Sequence, residues 1–576
     1  MVISKENLRI IEKKSFQLYG KRKSKLLIEK INELLAKYKT KISFDLKKIR
    51  FLDERDIVLI TYGDNIKIPK KKPLKSLLIL IDKYLRNTIN IIHLLPFYPY
   101  SSDDGFSVID YKKVNPILGT WKDISEINQK CNLMIDLVAN HISAQSEVFK
   151  EYLKGNKDYN NFFIKFNNIP DSSSVTRARD HPLFSLFSKN DKKVYLWTTF
   201  SSDQIDFNYA NENVLLTIID ILLFYCSKNP RLVRLDAIGH IWKCLSTSCI
   251  NLKAVHDIIQ IMRAVVNEIS PKILLVAEAN VIYKKNLKYF GDGYNEAQLV
   301  YNFALPFLVL HTFYTGNALR LLEYINNIGE LPGRATFFNI LATHDGIGVV
   351  PVKNILNGKE IKNVLENVIQ RGGYVSYKDA RNGTKKPYEL NITYYSAIAD
   401  SAITLEENIQ KFITSQAIIL SLRGIPGIYI HSLFGTVNDL NSVIRTGQKR
   451  SINRKKLSYT RIEELLADKN SREYRVFNEL IRLINLRKSE IAFHPNGNQR
   501  IIFIKKEIFS LLRISPDKKV KIITLINVTN KYQKVHLDVN EFLIHAKRYH
   551  DIVSGEIINR RLIMLTPYQI MWLKLL

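Results

Sequence analysis

Three acidic side chains in this sequence each follow a short apolar run with the length of a buried strand. Asp236 ends RLVRLD, Glu278 follows KILLVA, and Asp345 ends FFNILATHD, with His344 just before it. In a parallel barrel the carboxyl ends of all strands open on one face, so residues that are distant in sequence converge there. Cleavage of a glycosidic bond needs a nucleophile, a proton donor and a stabilising carboxylate. The three positions therefore predict a glycosyl-transfer site at the mouth of a barrel.

Arg234 strengthens this interpretation of Asp236. An isolated Asp after a strand is most often the N-cap of the next helix, and Glu278 could equally be an ion-pair partner at the edge of the core. Arg234 precedes Asp236 by two residues, and side chains at i and i+2 share a strand face, so the guanidinium can keep the carboxylate ionised. The apolar run before Glu278 suits a carboxyl group of raised pKa, which an acid catalyst needs.

The elements that must position these residues alternate between buried strands and amphipathic helices. Apolar runs without polar alternation indicate strands that are covered on both faces, which is typical of a parallel sheet. Helical periodicity recurs between the runs, first after Pro73. The predicted barrel strands are IVLITY (57–62), NIIHLLP (90–96), CNLMIDLV (131–138), RLVRL (231–235), KILLVA (272–277), AQLVYNF (297–303), ATFFNILATHD (335–345) and GIPGIYIH (424–431).

The predicted fold class is α/β: a (β/α)8 TIM barrel with two inserts and a C-terminal antiparallel β domain. A long polar, aromatic-rich segment after strand 3 predicts a small inserted domain, and a Gly-, Tyr- and Asn-rich segment after strand 7 predicts a second, irregular insert. Short strands separated by polar turns follow the last helix. The predicted boundaries are an N-terminal helical extension (1–52), barrel segments (53–142 and 207–490), the inserted domain (143–206), the irregular insert (346–395) and the β domain (491–576).

Composition narrows the class of protein. The chain has 576 residues and 46% apolar content, enough for a large core, and no run reaches the roughly 18 apolar residues of a membrane span. Charges stand where a signal peptide would have its apolar core, so we expect a cytoplasmic protein. The net charge of +30 is scattered, without a basic stripe interleaved with aromatics, which favours anionic substrates over nucleic acid. Four cysteines without zinc-type spacing indicate reduced, structural thiols.

Four ordered motifs resemble the signature regions of the alpha-amylase clan, glycoside hydrolase family 13. They are DLVANH (136–141), RLDAIGH (234–240), AEANV (277–281) and ATHD (342–345). Within the clan the chain resembles the sucrose phosphorylase subfamily, and FGDG, PYELN, SINRKK and FHPNG place it nearest to the glucosylglycerate phosphorylase-like branch. The subfamily resemblance rests on LITYGD (59–64), LPFYPYSSDDGFSVIDY (95–111), THDGIG (343–348), GIPGIYI (424–430) and NDLNSVIRTGQKRSINR (438–454).

The resemblance implies a role for each candidate site residue. Asp236 would be the nucleophile, Glu278 the general acid and base, and Asp345 the group that stabilises the transition state. Phe106 would be an apolar platform beneath the sugar ring, with plain core packing as the alternative. The residues implied to bind the donor sugar are Asp103, Phe106, His141, Arg234, His240, His344 and Arg454. Those implied to bind phosphate and the acceptor are Arg177, Arg179, Tyr388 and Glu389.

The implied function is that of a retaining α-glucoside phosphorylase. Such an enzyme transfers glucose from a small α-glucoside, such as glucosylglycerate or sucrose, to phosphate through a β-glucosyl-enzyme intermediate and yields α-glucose 1-phosphate. We expect a monomer or homodimer without cofactor, with inorganic phosphate as co-substrate and no nucleic-acid or membrane partner. Asn140 resembles a calcium ligand of amylases, yet we expect no metal because no dense acidic loop accompanies it.

Two other classes stay open, together with the identity of the acceptor. The chain could be an α-glucosidase or transglucosidase of the same clan, or a catalytically inactive amylase-like binding module, although the three retained carboxylates disfavour the latter. His240 stands where sucrose-specific members carry an aromatic residue, Glu389 stands where they carry Gln, and KCLSTSC (243–249) lacks an expected Pro-Gly. All three departures lie on the acceptor side, which leaves a glyceric-acid-like or a fructosyl acceptor open.

Overall fold

A computed structural model describes residues 3–40, 51–379, 384–537, 548–559 and 561–576. Its centre is a closed barrel of eight parallel strands, buried throughout except at Asn132. The strands are β1 (Val58–Thr61), β2 (Ile91–Leu94), β3 (Asn132–Val138), β4 (Leu232–Asp236), β5 (Leu274–Ala277), β6 (Leu299–Tyr301), β7 (Thr336–Ile340) and β8 (Ile425–Tyr429). Each lies within a predicted run except β4, which extends one residue beyond its run to Asp236, and β1 pairs with β8 to close the barrel. The predicted TIM barrel is confirmed.

Helices surround the barrel and begin at residues that suit helix starts. Thr120 and Thr404 each form a capping box with the acidic residue three positions later. The longer outer helices are Pro73–Leu80, which continues as the π-helical turn Ile81–Leu85, Trp121–Lys130, Glu212–Cys226, Lys253–Ile269, Leu305–Thr315, Leu319–Ile328, Leu405–Ser421 and Arg472–Lys488. Shorter helices are Tyr283–Asn286, Tyr394–Ile398, Ile430–Leu433, Leu440–Thr446 and Tyr459–Ala467.

The segment between β3 and β4 is a small domain, as predicted. It contains the helix Glu147–Leu153 and its own apolar cluster around Phe184 and Trp197. Three antiparallel strands, Lys165–Phe166, Phe184–Lys189 and Lys192–Trp197, form its sheet, and His141–Ser143 pairs with Gln204–Asp206 at its base. This base connects the inserted domain to the end of β3, so the domain lies over the carboxyl ends of the strands.

The second insert, after β7, is regular and not irregular as the sequence suggested. The helix Gly358–Gln370 begins with a capping box of Asn357 and Glu360. The strands Ile347–Gly348, Tyr374–Asp379 and Lys385–Asn391 form an antiparallel sheet. Many side chains of this hairpin are half-buried or exposed, so its strands lack the apolar run that reveals a barrel strand. Residues 380–383 of the predicted insert lie outside the described residues.

A long helix, Lys5–Lys39, precedes the barrel and is interrupted at Gly20, which has a φ of 76°. It packs on the barrel helices Glu212–Cys226 and Lys253–Ile269. Its buried face includes Leu27, Ile31, Leu35 and Tyr38, with Leu34 half-buried. Residues 41–50 of the predicted extension lie outside the described residues.

The C-terminal region is an antiparallel β domain, as predicted. Its six-stranded sheet has the order Asn498–Ile501, Ile508–Ile514, Lys521–Asn527, Ile570–Leu575, Tyr549–Asp551 and Ile557–Ile558. A further pair joins Gln533–His536 to Leu562–Leu565. The buried Trp572 donates from its indole to the Ser421 hydroxyl at 3.0 Å, which connects the sheet to a barrel helix. The predicted span also includes residues 538–547 and 560, which the structure does not describe.

Candidate active site

One cavity at the carboxyl ends of the strands contains most of the predicted site residues. Its volume is about 280 Å³, near the lower end of the roughly 300–1,000 Å³ of small-molecule sites. The predicted residues that line it are Asp103, Phe106, His141, Arg177, Arg179, Asp236, His240, Glu278, His344, Asp345, Tyr388 and Glu389. Arg234 and Arg454 lie behind this lining and contact Asp236 and Asp103 respectively. The structure therefore brings together residues from widely separated segments of the sequence.

Asp236 and Glu278 face this cavity from the ends of the neighbouring strands β4 and β5. Arg234 donates from Nη1 to Asp236 Oδ1 at 2.7 Å, and its Nη2 lies 3.9 Å from Glu278 Oε2. The other anchor of Glu278 is the backbone N–H of Ala237, which donates to Oε2 at 2.8 Å. Ala237 has a φ of 49°, and a left-handed conformation in a residue with a side chain marks a strained turn of the kind that clusters at functional sites.

The buried carboxyl groups of Asp236 and Glu278 both have a raised pKa. Burial raises the pKa of Asp236, the charge of Arg234 opposes this rise, and the nearby charge of Glu278 adds to it. Burial also raises the pKa of Glu278. The pair titrates as a unit, and the guanidinium of Arg234 is much closer to Asp236 than to Glu278. The negative charge is therefore best stabilised on Asp236 and the proton on Glu278, which is the division that a nucleophile and a general acid require.

Arg234 is itself held by residues that the sequence interpretation did not include. Asp136, on β3, accepts from Arg234 Nη1 at 2.5 Å, and His93 on β2 contacts the other oxygen at 2.9 Å. Burial opposes ionisation of Asp136, but Arg234 and His93 lower its pKa to about 2. An acidic residue within the otherwise apolar run NLMIDLV was the available signal, because a buried charge needs a partner.

Asp345 is bound by an arginine that the sequence interpretation also missed. Arg450 donates from Nη1 to Asp345 Oδ1, and His344 Nε2 lies 3.4 Å from the other oxygen. Burial by itself would raise the pKa of Asp345, but the charges of Arg450, His344 and Arg454 together outweigh burial and keep the pKa well below the usual range. Arg450 lies in the quoted motif NDLNSVIRTGQKRSINR, four residues before Arg454, but its sequence neighbours do not reveal that it reaches β7.

A loop between β2 and β3 brings Asp103 into the cavity. Arg454 Nη1 lies 3.6 Å from Asp103 and 2.7 Å from Asp104, and Arg179 Nη2 lies 3.1 Å from Asp103. Asp103 and Asp104 both have positive φ, and a side chain on Gly105 would lie 2.6 Å from the Pro96 carbonyl oxygen. The sharp turn therefore depends on glycine at position 105.

Aromatic and imidazole rings form the remaining floor and side of the cavity. Phe106 stacks on His344 with the ring centroids 4.7 Å apart and the planes 6° from parallel. His141 Nε2 lies 3.0 Å from the Phe106 carbonyl oxygen and 3.1 Å from Gln204. Burial lowers the pKa of His141 to about 4, and of His240 and His344 to about 3. These imidazoles are therefore neutral at pH 7 and act as hydrogen-bonding groups there.

The acceptor-side candidates come from the two inserts. Tyr388 and Glu389 lie on the strand Lys385–Asn391, while Arg177 and Arg179 belong to the inserted domain. The Glu389 carboxylate is not free, because Arg450 donates to both of its oxygens, from Nε at 3.0 Å and from Nη2. Arg179 points toward the donor side, where it pairs with Asp103.

The side chain of Asn140 contacts the ammonium group of Lys243. Lys243 Nζ lies 2.6 Å from Asn140 Oδ1 and 2.6 Å from Asp206 Oδ2, and it also donates to the His240 carbonyl oxygen. Three oxygens that could otherwise surround a cation thus contact a buried lysine. Within the described ranges, no group of three or more His, Cys, Asp or Glu side chains could hold a metal ion, and no helix has the length and apolarity to cross a membrane.

The barrel and its paired carboxylates define the class of this protein as an enzyme of glycosidic bonds. A family model described as "Alpha amylase, catalytic domain" matches residues 82–327. A glucosylglycerate phosphorylase of Spirochaeta thermophila is 43% identical over 531 residues, covering 91% of this chain and 90% of that protein. The protein of the same name from Escherichia coli K12 is 40% identical over 559 residues, covering 97% and 98%.

Structural similarity points the same way. The crystal structure of a sucrose 6F-phosphate phosphorylase from Thermoanaerobacter thermosaccharolyticum superimposes with a TM-score of 0.72 at 24% identity, covering 91% of this chain and 99% of that one, which shows the shared fold. The chain belongs to the glucoside phosphorylases of the alpha-amylase family. The predicted family, fold class and enzyme class are therefore confirmed, and the individual residue roles stay predictions.

Proposed function

We propose that this protein is a retaining phosphorylase of glucosylglycerate or a closely related α-glucoside, with inorganic phosphate as co-substrate and no cofactor. The observation that carries the proposal is the Asp236–Glu278 pair, whose two carboxyl groups line a single cavity and are both contacted by Arg234. The identity of the acceptor is supported by two relatives, 43% and 40% identical, that are both named glucosylglycerate phosphorylase.

In the first step Asp236 attacks the anomeric carbon of the donor and forms a β-glucosyl ester. The bond from that carbon to the leaving oxygen breaks, and Glu278 gives its proton to this oxygen. Asp345 stabilises the positive charge that develops on the sugar ring, since Arg450 and His344 keep its carboxylate ionised and oriented. Arg234 holds Asp236 in line for the attack.

In the second step an oxygen of phosphate attacks the same carbon and the ester bond to Asp236 breaks. Glu278, now a carboxylate, takes the proton from the attacking phosphate hydroxyl, so the enzyme returns to its starting state. Two inversions at one carbon give net retention and yield α-glucose 1-phosphate. Phe106 and His344 provide the stacked surface against which we expect the glucose ring to lie.

The reverse reaction tests this proposal. Purified protein is supplied with α-glucose 1-phosphate and, in separate assays, with glycerate, glycerol, fructose or fructose 6-phosphate, and released phosphate and the sugar products are measured. We expect glycerate to give the highest rate of phosphate release and an α-glucoside product. Accumulation of free glucose at a rate that no acceptor changes would instead identify a hydrolase.

A further inference from the structure

The charged residues of the cavity fall into a paired set and an unpaired set. Arg179 pairs with Asp103, and Arg450 pairs with both Asp345 and Glu389. The cavity is also lined by three cations that have no carboxylate partner in the part of the chain that the structure describes: Arg177, Lys285 and Lys378. This outer part of the cavity therefore has an excess of positive charge.

These three cations come from separate elements that meet at the cavity. Arg177 lies in the inserted domain, Lys285 in the short helix Tyr283–Asn286 after β5, and Lys378 in the strand Tyr374–Asp379 of the second insert. Sequence reasoning from the family motifs did not select Lys285 or Lys378, because neither lies in a motif. Only the folded chain brings them to the lining of the same cavity.

Lys378 is the most constrained of the three. Its Nζ donates to the main-chain carbonyl of Arg177 at 2.6 Å and lies 5.9 Å from the Tyr388 ring centroid. Burial, together with the charges of Lys353 and Arg177, lowers its pKa to about 8. An ammonium group has three N–H donors, and only one is used within the described structure. A half-buried cation in this state is stabilised when an anion binds beside it.

We infer that Lys378, with Arg177 and Lys285, forms one anion subsite that binds the phosphate co-substrate and the carboxylate of a hydroxy-acid acceptor in turn. The inference rests on the proposed function, in which both groups must approach the same face of the Asp236 ester. The leaving acceptor and the attacking phosphate share that approach because the two displacements occur at one carbon. A single set of cations can therefore serve both half-reactions.

The Arg450–Glu389 ion pair supports this assignment. A free carboxylate at position 389 would repel phosphate and glycerate alike, at a cost that grows as water is excluded. Because Arg450 donates to both oxygens of Glu389, that charge is neutralised within the cavity wall. The three unpaired cations consequently keep their full effect on an entering anion.

The test compares anionic and neutral acceptors with a donor that carries no phosphate. Wild-type protein, K378M, K378R and K386M are assayed with α-glucosyl fluoride as donor and with phosphate, glycerate or glycerol as acceptor. Lys386 is the matched control, because it is an exposed lysine of the same hairpin that does not line the cavity. Thermal unfolding verifies that each variant is folded.

For K378M we expect KM to rise roughly 10- to 100-fold for phosphate and glycerate alike, as the loss of a hydrogen bond to a charged group predicts. Transfer to glycerol should stay near the wild-type rate, K378R should recover part of the anion affinity, and K386M should resemble wild type. K285M, at an exposed position in the cavity lining, provides a second variant should K378M fail to fold.

Two results would overturn the inference while leaving the proposed function intact. One is an unchanged KM for both anions in K378M, and the other is an equal rise for glycerol, which would indicate a general distortion of the hairpin. Failure of the wild-type protein to transfer glucose to phosphate or glycerate would instead contradict the proposed function itself.

Discussion

The inner and outer walls of the cavity are built on different principles. On the inner wall Asp236, Glu278 and Asp345 lie at strand ends, and buried contacts to Arg234 or Arg450 hold each of them. The outer wall comes from the two inserts and loops, and several of its cations have no acidic partner within the described residues. The barrel therefore holds the three carboxylates that we propose to be catalytic, while the inserted segments form the side on which we propose that the acceptor binds.

Strand ends and inserted segments differ in how firmly their backbone is held. Barrel strands are held by hydrogen bonds on both sides, so a residue at a strand end has little freedom. The two inserts meet through individual contacts such as Lys378 Nζ to the Arg177 carbonyl, and the first insert also reaches the loop after β4 where Thr176 N–H donates to Ser248 at 3.0 Å. Changes in these segments can alter the acceptor without moving the carboxylates.

The largest expected effect comes from replacing Asp236 by Asn. D236N should lower kcat by at least about 10⁴-fold, because it removes the proposed nucleophile of the double displacement. The substitution preserves size, and Arg234 keeps its contact with Asp136, so the unfolding temperature should change little. Phosphate release from α-glucose 1-phosphate with glycerate is the measurement, with D110N outside the cavity as control. If D236N kept activity within tenfold of wild type, the proposal that the inner wall carries the nucleophile would be contradicted.

The next effect concerns the proton of Glu278. Burial raises the pKa of Glu278 above its ordinary value, and the first step needs the protonated form, so kcat/KM should fall as pH rises through this pKa. E278Q should lower kcat by about 10²- to 10⁴-fold, and its kcat/KM should no longer fall as pH rises. With α-glucosyl fluoride, whose leaving group needs little protonation, the first step should be much less impaired. The buried histidines His141, His240 and His344 should cause no change in kcat/KM near neutral pH, since their pKa values are about 3 to 4.

The smallest effect tests the residue that connects the two walls. R450M leaves Glu389 unpaired and removes a partner of Asp345, so it should weaken phosphate binding and lower stability by about 1–3 kcal/mol. E389Q alone should be milder, and adding it to R450M should restore part of the phosphate affinity because the repelling charge disappears. A double-mutant cycle on phosphate KM should give a coupling of about 0.5–3 kcal/mol. Additive effects would show that the walls act independently.

Much of the inner wall was predictable because it depends on short-range patterns. Asp236 and Glu278 each terminate an apolar run, and Arg234 shares a strand face with Asp236, so both features can be recognised from spacing. Arg450 could not be found in this way, since its partners Asp345 and Glu389 lie 105 and 61 residues away in the chain. The regular structure of the second insert was also missed, because too many side chains of its hairpin are exposed for the strands to show the apolar sequence pattern of a buried strand.

By itself, the sequence determined the barrel, the order of its strands and the three acidic positions at their ends. Those features follow from local periodicity and strand length, which each segment carries independently of the others. Tertiary structure alone decided which charges are neutralised and which stay available, as in Glu389 with Arg450 and Lys378 with no acidic partner among the described residues. Pairing depends on distances between segments that are remote in the chain, and only the folded protein sets those distances.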